Sequence, residues 1–386
     1  MDLRFTAEDE AFRADVQAWF AMYLTEEFTD LAELGGGGRE RAGFEVCQAW
    51  ERLLGEHDWI GIGWPAPHGR GLSMMQQVIF YEEYARAGAA YRINHLGEQL
   101  LAPTLIACGT RAQQERLLPA IRRGEELWCQ GYSEPDAGSD LANVSTSAVR
   151  DGDEWVITGQ KVWTSFAQHA DWCFAVVRTD PDAPRHAGLS YLLVPMKQPA
   201  VEVRPIVQMS GTSEFNEVFF DGARTAADNI VGAPGDGWRV AMTTLGFERG
   251  VATLGRQIGF AAELDRVIGV ARRTGALDDP ILADRLTNAW IELQVMRYTA
   301  LRMLAVDPPG AEASISKLLW APWHQRLGEL AVAVQGVDAI DVGSTATEYD
   351  ELQRLFLFSR ADTIYGGSNE IQRDILARRM LGLPRG

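Results

Sequence analysis

Cysteine and histidine are scarce in this chain, which has four cysteines and six histidines among its 386 residues. Cys47, Cys108, Cys129 and Cys173 form no C-x-x-C pair, and no histidine lies at metal-ligand spacing. We therefore expect neither a metal site nor a disulfide framework. Reduced, buried thiols in a cytoplasmic protein are the expectation that remains.

Long apolar runs and an excess of positive charge are also missing. No run of eighteen apolar residues occurs, so we expect no transmembrane helix. The N-terminal stretch is acidic and amphipathic rather than basic and then apolar, so we expect no targeting segment. The chain has 36 basic and 53 acidic residues and a net charge of −17. That charge disfavours binding to nucleic acid and to anionic membranes.

The spacing of apolar residues divides the chain into three zones. From Thr6 to about Arg122 they recur every three or four positions, with breaks at the glycines 35–38 and in the loop GIGWPAPHGRG. From about Glu126 to Val231 the period is two. AVRDGDEWVITGQKVWT predicts two strands around an Asp-Gly turn, and DWCFAVVRT, LSYLLVPM and NEVFFDGAR predict three more.

From about Gly237 onward the helical period returns. Leu286, Trp290, Leu293, Met296 and Leu301 are predicted to share one helix face, and the segments 314–334 and 351–381 are also long and periodic. We predict an α+β protein with an N-terminal helical domain (1–123), a middle β-barrel domain (124–233) and a C-terminal four-helix bundle (234–386). Clefts between such domains are usual cofactor sites.

The stretch QGYSEPDAGSD, residues 130–140, opens the β zone and is rich in turn residues and hydrogen-bonding groups. Ser133, Ser139 and the surrounding backbone could present several donors to one planar polar ligand. An ordinary surface turn would have the same composition.

About thirty residues later, GQKVWTSFAQHADW places Trp163 next to Thr164 and Ser165 at a strand end. An indole face beside two hydroxyls suits an aromatic ring edged with nitrogens, because stacking and edge hydrogen bonds can act together. A lone tryptophan at a strand end is more often part of a core.

The stretch LGFERG, residues 245–250, sets Glu248 and Arg249 among apolar neighbours. A carboxylate in an apolar cleft has a raised pKa, as a general base needs. A simple helix ion pair is the alternative. Near the chain end, YGGSNEIQR begins at Tyr365, and its glycine pair before a helix is a candidate cradle for a ligand.

Taken together and in this order, these four stretches resemble the acyl-CoA dehydrogenase family over nearly the whole chain. Its members transfer a hydride from the β-carbon of an acyl-CoA to FAD while a glutamate removes the α-proton. The matching motifs here are S-E-P-x-A-G-S-D, G-x-K-x-W-T-S, the E-R pair, and Y-x-G-S-x-E-I-Q-R.

The resemblance implies a role for each matching residue. Gln130, Tyr132 and Ser133 would meet the edge of the flavin ring, and Trp163, Thr164 and Ser165 would flank the ring near its reactive nitrogen. Gly138 and Ser139 would lie where flavin and thioester meet, and Ser368 and Glu370 would contact the pyrophosphate and ribose of FAD. Substrate contacts would come from Ser139, Phe247 and Arg249.

The sequence differs from the best-known members at position 366. Their base glutamate directly follows the tyrosine of the C-terminal motif, whereas this chain has Gly366. A minority branch has its glutamate at the position of Glu248, so the resemblance implies that Glu248 is the base. The backbone N–H at 366 would still help to bind the thioester oxygen.

Two further segments differ from many homotetrameric members. Those members have R-x-x-F-G at the end of one bundle helix and Q-x-x-G-G-x-G on a later one, and both segments reach a neighbouring chain's FAD. Here the segments read ARRTGALDDP (271–280) and AVAVQGVDAI (331–340), so the phenylalanine is missing, Ala333 replaces the glutamine and only Gly336 is kept.

Either the helices bind the adenosine end of FAD in another way within a homo-oligomer, or a homologous subunit supplies that half in an α2β2 assembly. We favour the second, since a symmetric dimer would carry the defect into every site. In this family such assemblies act on bulky acyl-CoA substrates, including steroid side chains. Electrons would pass to an electron-transfer flavoprotein.

Two other functions remain open within the same fold. An oxidase would pass its electrons to oxygen, and the motifs do not separate it from a dehydrogenase. A non-catalytic subunit of a heteromer is the other alternative. The intact flavin motifs and Glu248 argue against that alternative.

Overall fold

The structure is a computed structural model of the chain. It describes residues 5–25, 28, 43–90, 92–247, 252–304, 310–311, 313–341 and 349–384, with the backbone alone at 252–256 and 304. The glycine break predicted at 35–38 lies outside these residues.

The N-terminal domain is helical. Its helices are α1 (Ala7–Tyr23), α2 (Phe44–Glu56), α3 (Met74–Arg86), α4 (Ala102–Cys108) and α5 (Arg111–Arg122), and a π-helical segment, Leu96–Leu101, runs directly into α4. Thr6, Ser73 and Thr110 begin α1, α3 and α5, and the side chain of each accepts a hydrogen bond from the backbone N–H three residues later. The helices enclose an aromatic core around Trp50 and Phe80.

The middle domain is one seven-stranded sheet. Its strands are β1 (Trp128–Gly131), β2 (Ser147–Asp151), β3 (Glu154–Ser165), β4 (Trp172–Arg178), β5 (Leu189–Pro195), β6 (Val201–Pro205) and β7 (Phe215–Ala226). Strand β4 pairs with β5 along one edge and with β1 and then β2 along the other, and the order continues through β3 and β7 to β6. The sequence pattern predicted neither of the short strands β1 and β6.

The sheet curls around its own core. Along β4, Cys173, Ala175 and Val177 belong to the core inside the curl, whereas Phe174 and Val176 belong to a second core shared with the helices. The end of β7 meets β5, where the Thr225 hydroxyl donates to the Leu193 carbonyl over 2.6 Å. The strands read from the period-two segments are confirmed.

Helices form the remainder of the described chain. They are α6 (Gly237–Phe247), α7 (Ala252–Thr274), α8 (Pro280–Leu304), α9 (Ala313–Gln335), α10 (Glu351–Ser359) and α11 (Asn369–Ile375), and a π-helical segment, Leu376–Met380, extends α11. Phe260, Leu293, Trp323 and Leu355 bring α7, α8, α9 and α10 around one core. The predicted α+β class with its three zones is confirmed.

Two details of the C-terminal prediction are wrong. The segment 351–381 is two helices separated by a turned segment at 360–368, in which Gly366 and Gly367 adopt left-handed backbone angles that a continuous helix does not contain. Trp290 does not share the buried face of Leu286 and Leu293, since 53% of its surface is exposed.

The four cysteines are free, three of them buried and Cys108 half-buried. Within the described ranges, no His, Cys, Asp and Glu side chains gather into a group that could hold a metal ion. A search of the same ranges finds no helix with the length and apolar character needed to cross a bilayer.

Candidate functional site

The loop that follows β1 is held closed by Glu134. Its carboxylate accepts hydrogen bonds from the main-chain N–H groups of Ser145 (2.6 Å) and Thr146 (3.0 Å) and from the Ser145 hydroxyl (2.8 Å). These bonds tie the start of the loop to its end, so QGYSEPDAGSD is a fixed loop rather than an open surface turn.

The same carboxylate is paired with Lys161 on β3. The Lys161 ammonium is fully buried and donates to Glu134 (2.7 Å) and to the carbonyls of Tyr132 (3.2 Å) and Val176 (2.7 Å). Burial alone would raise the pKa of Glu134, but Lys161 and the loop donors outweigh it and lower that pKa to about 2. The ion pair therefore fixes the first motif against the second.

Just beyond Lys161, strand β3 has a bulge at Trp163. The register with β7 shifts between Lys161 and Thr164, and Trp163 has a left-handed φ of 59°. That conformation is strained for a bulky residue, and such strain is typical of functional sites. The bulge turns the indole outward, and 57% of its surface is exposed, with its ring edge-on to Phe215.

Among the buried polar atoms that have no hydrogen-bond partner in the described part of the chain are the hydroxyl of Thr164, next to the bulge, and the amide nitrogen of Gln130 in β1. A buried polar group without a partner is destabilising, so these atoms suit a ligand that would supply the missing bonds. An exposed aromatic face beside such atoms fits a planar ring with a polar edge, as the flavin of FAD has.

The other residues of these two motifs lie around the same place. The Ser133 carbonyl accepts a hydrogen bond from the Val162 N–H (2.9 Å), which joins the loop directly to the bulge. Ser165 pairs with Phe215 at the end of β3. Gly138 and Ser139 are at the exposed outer part of the loop, and a Cβ added to Gly138 would meet open space.

A buried chain of hydroxyl groups links this loop to α6. The Tyr132 ring lies edge-on to Tyr191, whose hydroxyl accepts from the Thr244 hydroxyl (3.3 Å). The Thr104 hydroxyl on α4 in turn donates to that of Thr244 (2.9 Å). Thr244 lies on α6 three residues before the helix ends at Phe247, so this end of α6 is held toward the loop of residues 130–140.

Glu248 and Arg249 lie outside the described residues, so their roles stay predictions. At the end of α6 before them, Leu245 is half-buried and Phe247 has 37% of its surface exposed.

The C-terminal motif forms the turn between α10 and α11. Gly366 and Gly367 have φ values of 63° and 81°, and both their carbonyls accept from the Gln372 side chain, at 3.0 and 3.4 Å. Ser368 begins α11, where its hydroxyl accepts from the Ile371 N–H (3.4 Å), and Glu370 is exposed. Among the described residues, none accepts a hydrogen bond from the N–H of Gly366.

Behind this turn lies a buried charged network that the sequence reading missed. Asp362 accepts from the Tyr365 hydroxyl (2.6 Å) and is bonded to His324 (2.6 Å), whose other ring nitrogen is bonded to Glu263 (2.8 Å). Burial alone would lower the pKa of His324, but the two carboxylates raise it to about 9. The histidine is therefore an imidazolium at neutral pH.

The segments 271–280 and 331–340 come together at one end of the bundle. The Thr274 hydroxyl at the end of α7 donates to the Val334 carbonyl on α9 (2.8 Å). Within the second segment, Val337 and Ile340 each have more than 80% of their surface exposed.

Three family descriptions match the chain in sequence. They are "Acyl-CoA dehydrogenase, N-terminal domain" over residues 6–125, "Acyl-CoA dehydrogenase, middle domain" over 129–223, and "Acyl-CoA dehydrogenase, C-terminal domain" over 235–381. Together they follow the three structural zones.

Individual proteins match along the full length. The chain is 60% identical to acyl-CoA dehydrogenase IpdE1 of Mycobacterium tuberculosis (strain ATCC 25618 / H37Rv), over 97% of this chain and 98% of that protein. Among solved structures, the Tcur3481-Tcur3483 steroid ACAD superimposes with a TM-score of 0.85 at 31% identity, and the ChsE4-ChsE5 complex from Mycobacterium tuberculosis with 0.80 at 28% identity. Each of these two superpositions covers 100% of this chain and 100% of the matched chain.

Proposed function

Because the chain belongs to the acyl-CoA dehydrogenase family, whose members are FAD-dependent oxidoreductases, we propose that it introduces an α,β double bond into an acyl-CoA thioester. Glu248 is the proposed base for the α-proton. The observation that carries the proposal is the strained, exposed indole of Trp163 beside the buried, unpaired hydroxyl of Thr164.

The residues of the β domain would hold the cofactor. Trp163 would lie against the flavin ring, while Thr164 and Gln130 would donate to its polar edge. FAD, when bound, supplies the acceptor for the β-hydride. Lys161 and Glu134 keep the loop and the bulge in register, so the flavin site is preorganised.

The residues of the helical domains would act on the substrate. Glu248 follows the end of α6 in the sequence, and Thr244 holds that end toward the loop of residues 130–140 through Tyr191 and Tyr132. The Gly366 N–H, which has no acceptor among the described residues, would bind the thioester oxygen as negative charge develops on it. Ser139, Phe247 and Arg249 are the proposed contacts for the rest of the acyl-CoA.

A bulky acyl group, such as a steroid side chain, is the proposed substrate class. One solved structure similar to this chain is named a steroid ACAD, and its name, like that of the ChsE4-ChsE5 complex, includes two different chains. We propose that this chain is the catalytic subunit of an α2β2 assembly in the cytoplasm. Segments 271–280 and 331–340, which lack the usual FAD-contacting residues, support that assembly, and an electron-transfer flavoprotein is the proposed acceptor.

The base assignment is tested by Glu248→Gln in the flavin-loaded assembly. Under anaerobic conditions, flavin bleaching is followed with butanoyl-CoA, octanoyl-CoA and a steroid-side-chain acyl-CoA. The amide has a similar shape but cannot take the proton, so we expect bleaching to slow by about 10²- to 10⁴-fold while FAD stays bound. Adding Gly366→Glu to that variant should recover part of the rate.

Bleaching of Glu248→Gln at the wild-type rate would place the base elsewhere, with Glu370 or a partner's carboxylate next to test. Wild-type protein that binds FAD but is bleached by none of the three thioesters would contradict the proposed reaction. Rapid reoxidation of the reduced flavin by air would favour an oxidase, and absence of FAD from this chain in the assembly would favour a non-catalytic subunit.

A further inference from the structure

The peptide between Tyr365 and Gly366 is held from behind by Lys317 on α9. The Lys317 ammonium donates to the Tyr365 carbonyl over 2.8 Å. That carbonyl and the Gly366 N–H belong to the same planar, trans peptide group and point in opposite directions. A hydrogen bond that fixes the carbonyl therefore also fixes the direction of the N–H.

The lysine is itself closely held. Only 8% of its surface is exposed, and its ammonium lies 4.2 Å from the centre of the Trp320 ring and 4.5 Å from that of Tyr365. Both rings offer their negative faces to the cation. The position of the charge thus depends on where the Tyr365 ring is.

The Tyr365 ring is fixed in turn by Asp362. The tyrosine hydroxyl donates to one carboxylate oxygen of Asp362, which is fully buried, and the other oxygen is bonded to His324. Glu263 holds the far side of the histidine. The peptide, the ring and the ammonium are therefore parts of one buried, hydrogen-bonded arrangement across α7, α9 and the turn.

We infer that Lys317 and Asp362 are positioning residues that orient and polarise the Gly366 N–H toward the thioester oxygen. The inference rests on the proposed function, since it concerns the proposed oxygen-binding role of that N–H. A positive charge on the carbonyl side draws electron density through the peptide and makes the N–H a stronger donor. The donor is aligned before the reaction, which is the arrangement that stabilises developing negative charge most.

Three variants distinguish a positioning role of Lys317 from a purely structural role. Lys317→Met keeps the length of the side chain and removes the charge, and Tyr365→Phe keeps the ring and removes the hydroxyl that donates to Asp362. Trp323→Phe is the matched control, because it removes a buried hydrogen bond from the same helix, to the Ala289 carbonyl over 2.9 Å, without touching Tyr365.

The flavin-loaded assembly is bleached anaerobically with the fastest of the three thioesters named above. We expect Lys317→Met to slow bleaching by about 10- to 100-fold and Tyr365→Phe by less, with flavin content and thioester affinity little changed. Trp323→Phe should bleach at the wild-type rate.

A second readout does not depend on turnover. The enoyl-CoA product of that thioester, labelled with ¹³C at the thioester carbonyl, is bound to each variant and its carbonyl stretch is recorded. A weaker N–H donor should leave the stretch at higher frequency in Lys317→Met than in the wild type or Trp323→Phe.

Wild-type bleaching and an unshifted stretch in Lys317→Met would overturn the inference, as would equal slowing in all three variants. If Lys317→Met fails to fold, the same two results in Tyr365→Phe overturn it. An unbleached wild-type protein would instead contradict the proposed function, so the two failures are distinct.

Discussion

The ammonium of Lys161 and the carboxylate of Glu134 are 2.7 Å apart, and neither side chain has more than 3% of its surface exposed. One lies on β3 two residues before the Trp163 bulge, and the other is in the loop after β1. Since the loop and the bulge are the two halves of the proposed flavin site, this buried pair couples the stability of the domain to the shape of the site.

Lys161→Met should destabilise the protein and reduce its FAD content. It leaves the Glu134 carboxylate buried without its cation, and removing one partner of a buried ion pair typically costs about 3 to 5 kcal/mol. Urea unfolding measures the loss. Arg204→Met, which breaks an exposed pair with Glu202, is the control and should destabilise the protein far less. Equal losses in the two variants would mean that the buried pair has no special role.

The sequence singled out the loop of residues 130–140 and Trp163 as candidate site residues, but it did not predict the Lys161–Glu134 ion pair that holds them together. Trp163 and Thr164 stand out because an indole beside a hydroxyl is a chemical signature. Lys161 is less conspicuous in the sequence, because its only unusual feature is a charged side chain at a strand position that the alternating pattern assigns to the inside. Its partner could not be identified from the sequence without the fold. Glu134 is 27 residues away, and only the pairing of β1 and β4, with β3 beside them, brings the two together.

Thr164→Val should stabilise the apoprotein and weaken its hold on FAD. The Thr164 hydroxyl is buried without a partner among the described residues, so replacing it by a methyl removes a polar group that costs about 1 to 3 kcal/mol when unpaired. With FAD bound, the same change removes a donor. Thermal unfolding with and without FAD gives both effects.

Thr225→Val provides the comparison for that experiment. The Thr225 hydroxyl is equally buried but bonded to the Leu193 carbonyl, so its loss should destabilise the apoprotein and leave FAD affinity unchanged. If both valine variants shift the unfolding midpoint in the same direction, the Thr164 hydroxyl has a partner in solution and is not kept for the flavin.

Trp163→Ala should lower flavin occupancy and alter the visible flavin spectrum while leaving the fold intact. The indole is mostly exposed, so its removal opens no cavity in the core, and an aromatic stacking contact is worth about 0.5 to 1.5 kcal/mol. We therefore expect FAD affinity to fall about 2- to 10-fold in Trp163→Ala. The affinity of Trp163→Phe should lie between those of the wild type and Trp163→Ala. Full occupancy and an unchanged spectrum in Trp163→Ala would contradict the assignment of this residue.

The spacing of apolar residues predicted that α8 is a helix, but it did not predict which of those residues are buried within the chain. Trp290, Ile291, Val295 and Tyr298 each have about half of their surface exposed, although an apolar residue at helical spacing is normally assigned to a core. A single sequence does not distinguish a face buried within the chain from one covered by another chain. The exposed face is therefore a candidate subunit contact.

Trp290→Glu and Val295→Glu should disrupt assembly without unfolding the chain. Native mass measurement of this chain, expressed with a homologous subunit, should show α2β2 for the wild type and smaller species for these variants. Arg111→Glu, at a fully exposed position of α5, should leave the assembly intact. A fully flavinylated, active homotetramer of this chain alone would contradict the heteromeric assembly.

The buried imidazolium of His324 should make stability fall as the pH rises. Its ring is bonded to Asp362 and Glu263 and lies 4.6 Å from the Phe260 ring, and Lys317 approaches the network through Tyr365. The folded pKa of about 9 is above the ordinary 6.5, so the stabilisation is complete below pH 6.5 and is lost as the pH rises through 9. The difference between the two pKa values corresponds to on the order of 3 kcal/mol of stability.

Urea unfolding at pH 6 and pH 9.5 tests this pH dependence. The wild type should lose free energy of unfolding of that order between the two pH values. His324→Gln should be less stable than the wild type at pH 6 and should show a much smaller pH dependence. An equal pH dependence in the two proteins would mean that His324 is neutral in the fold.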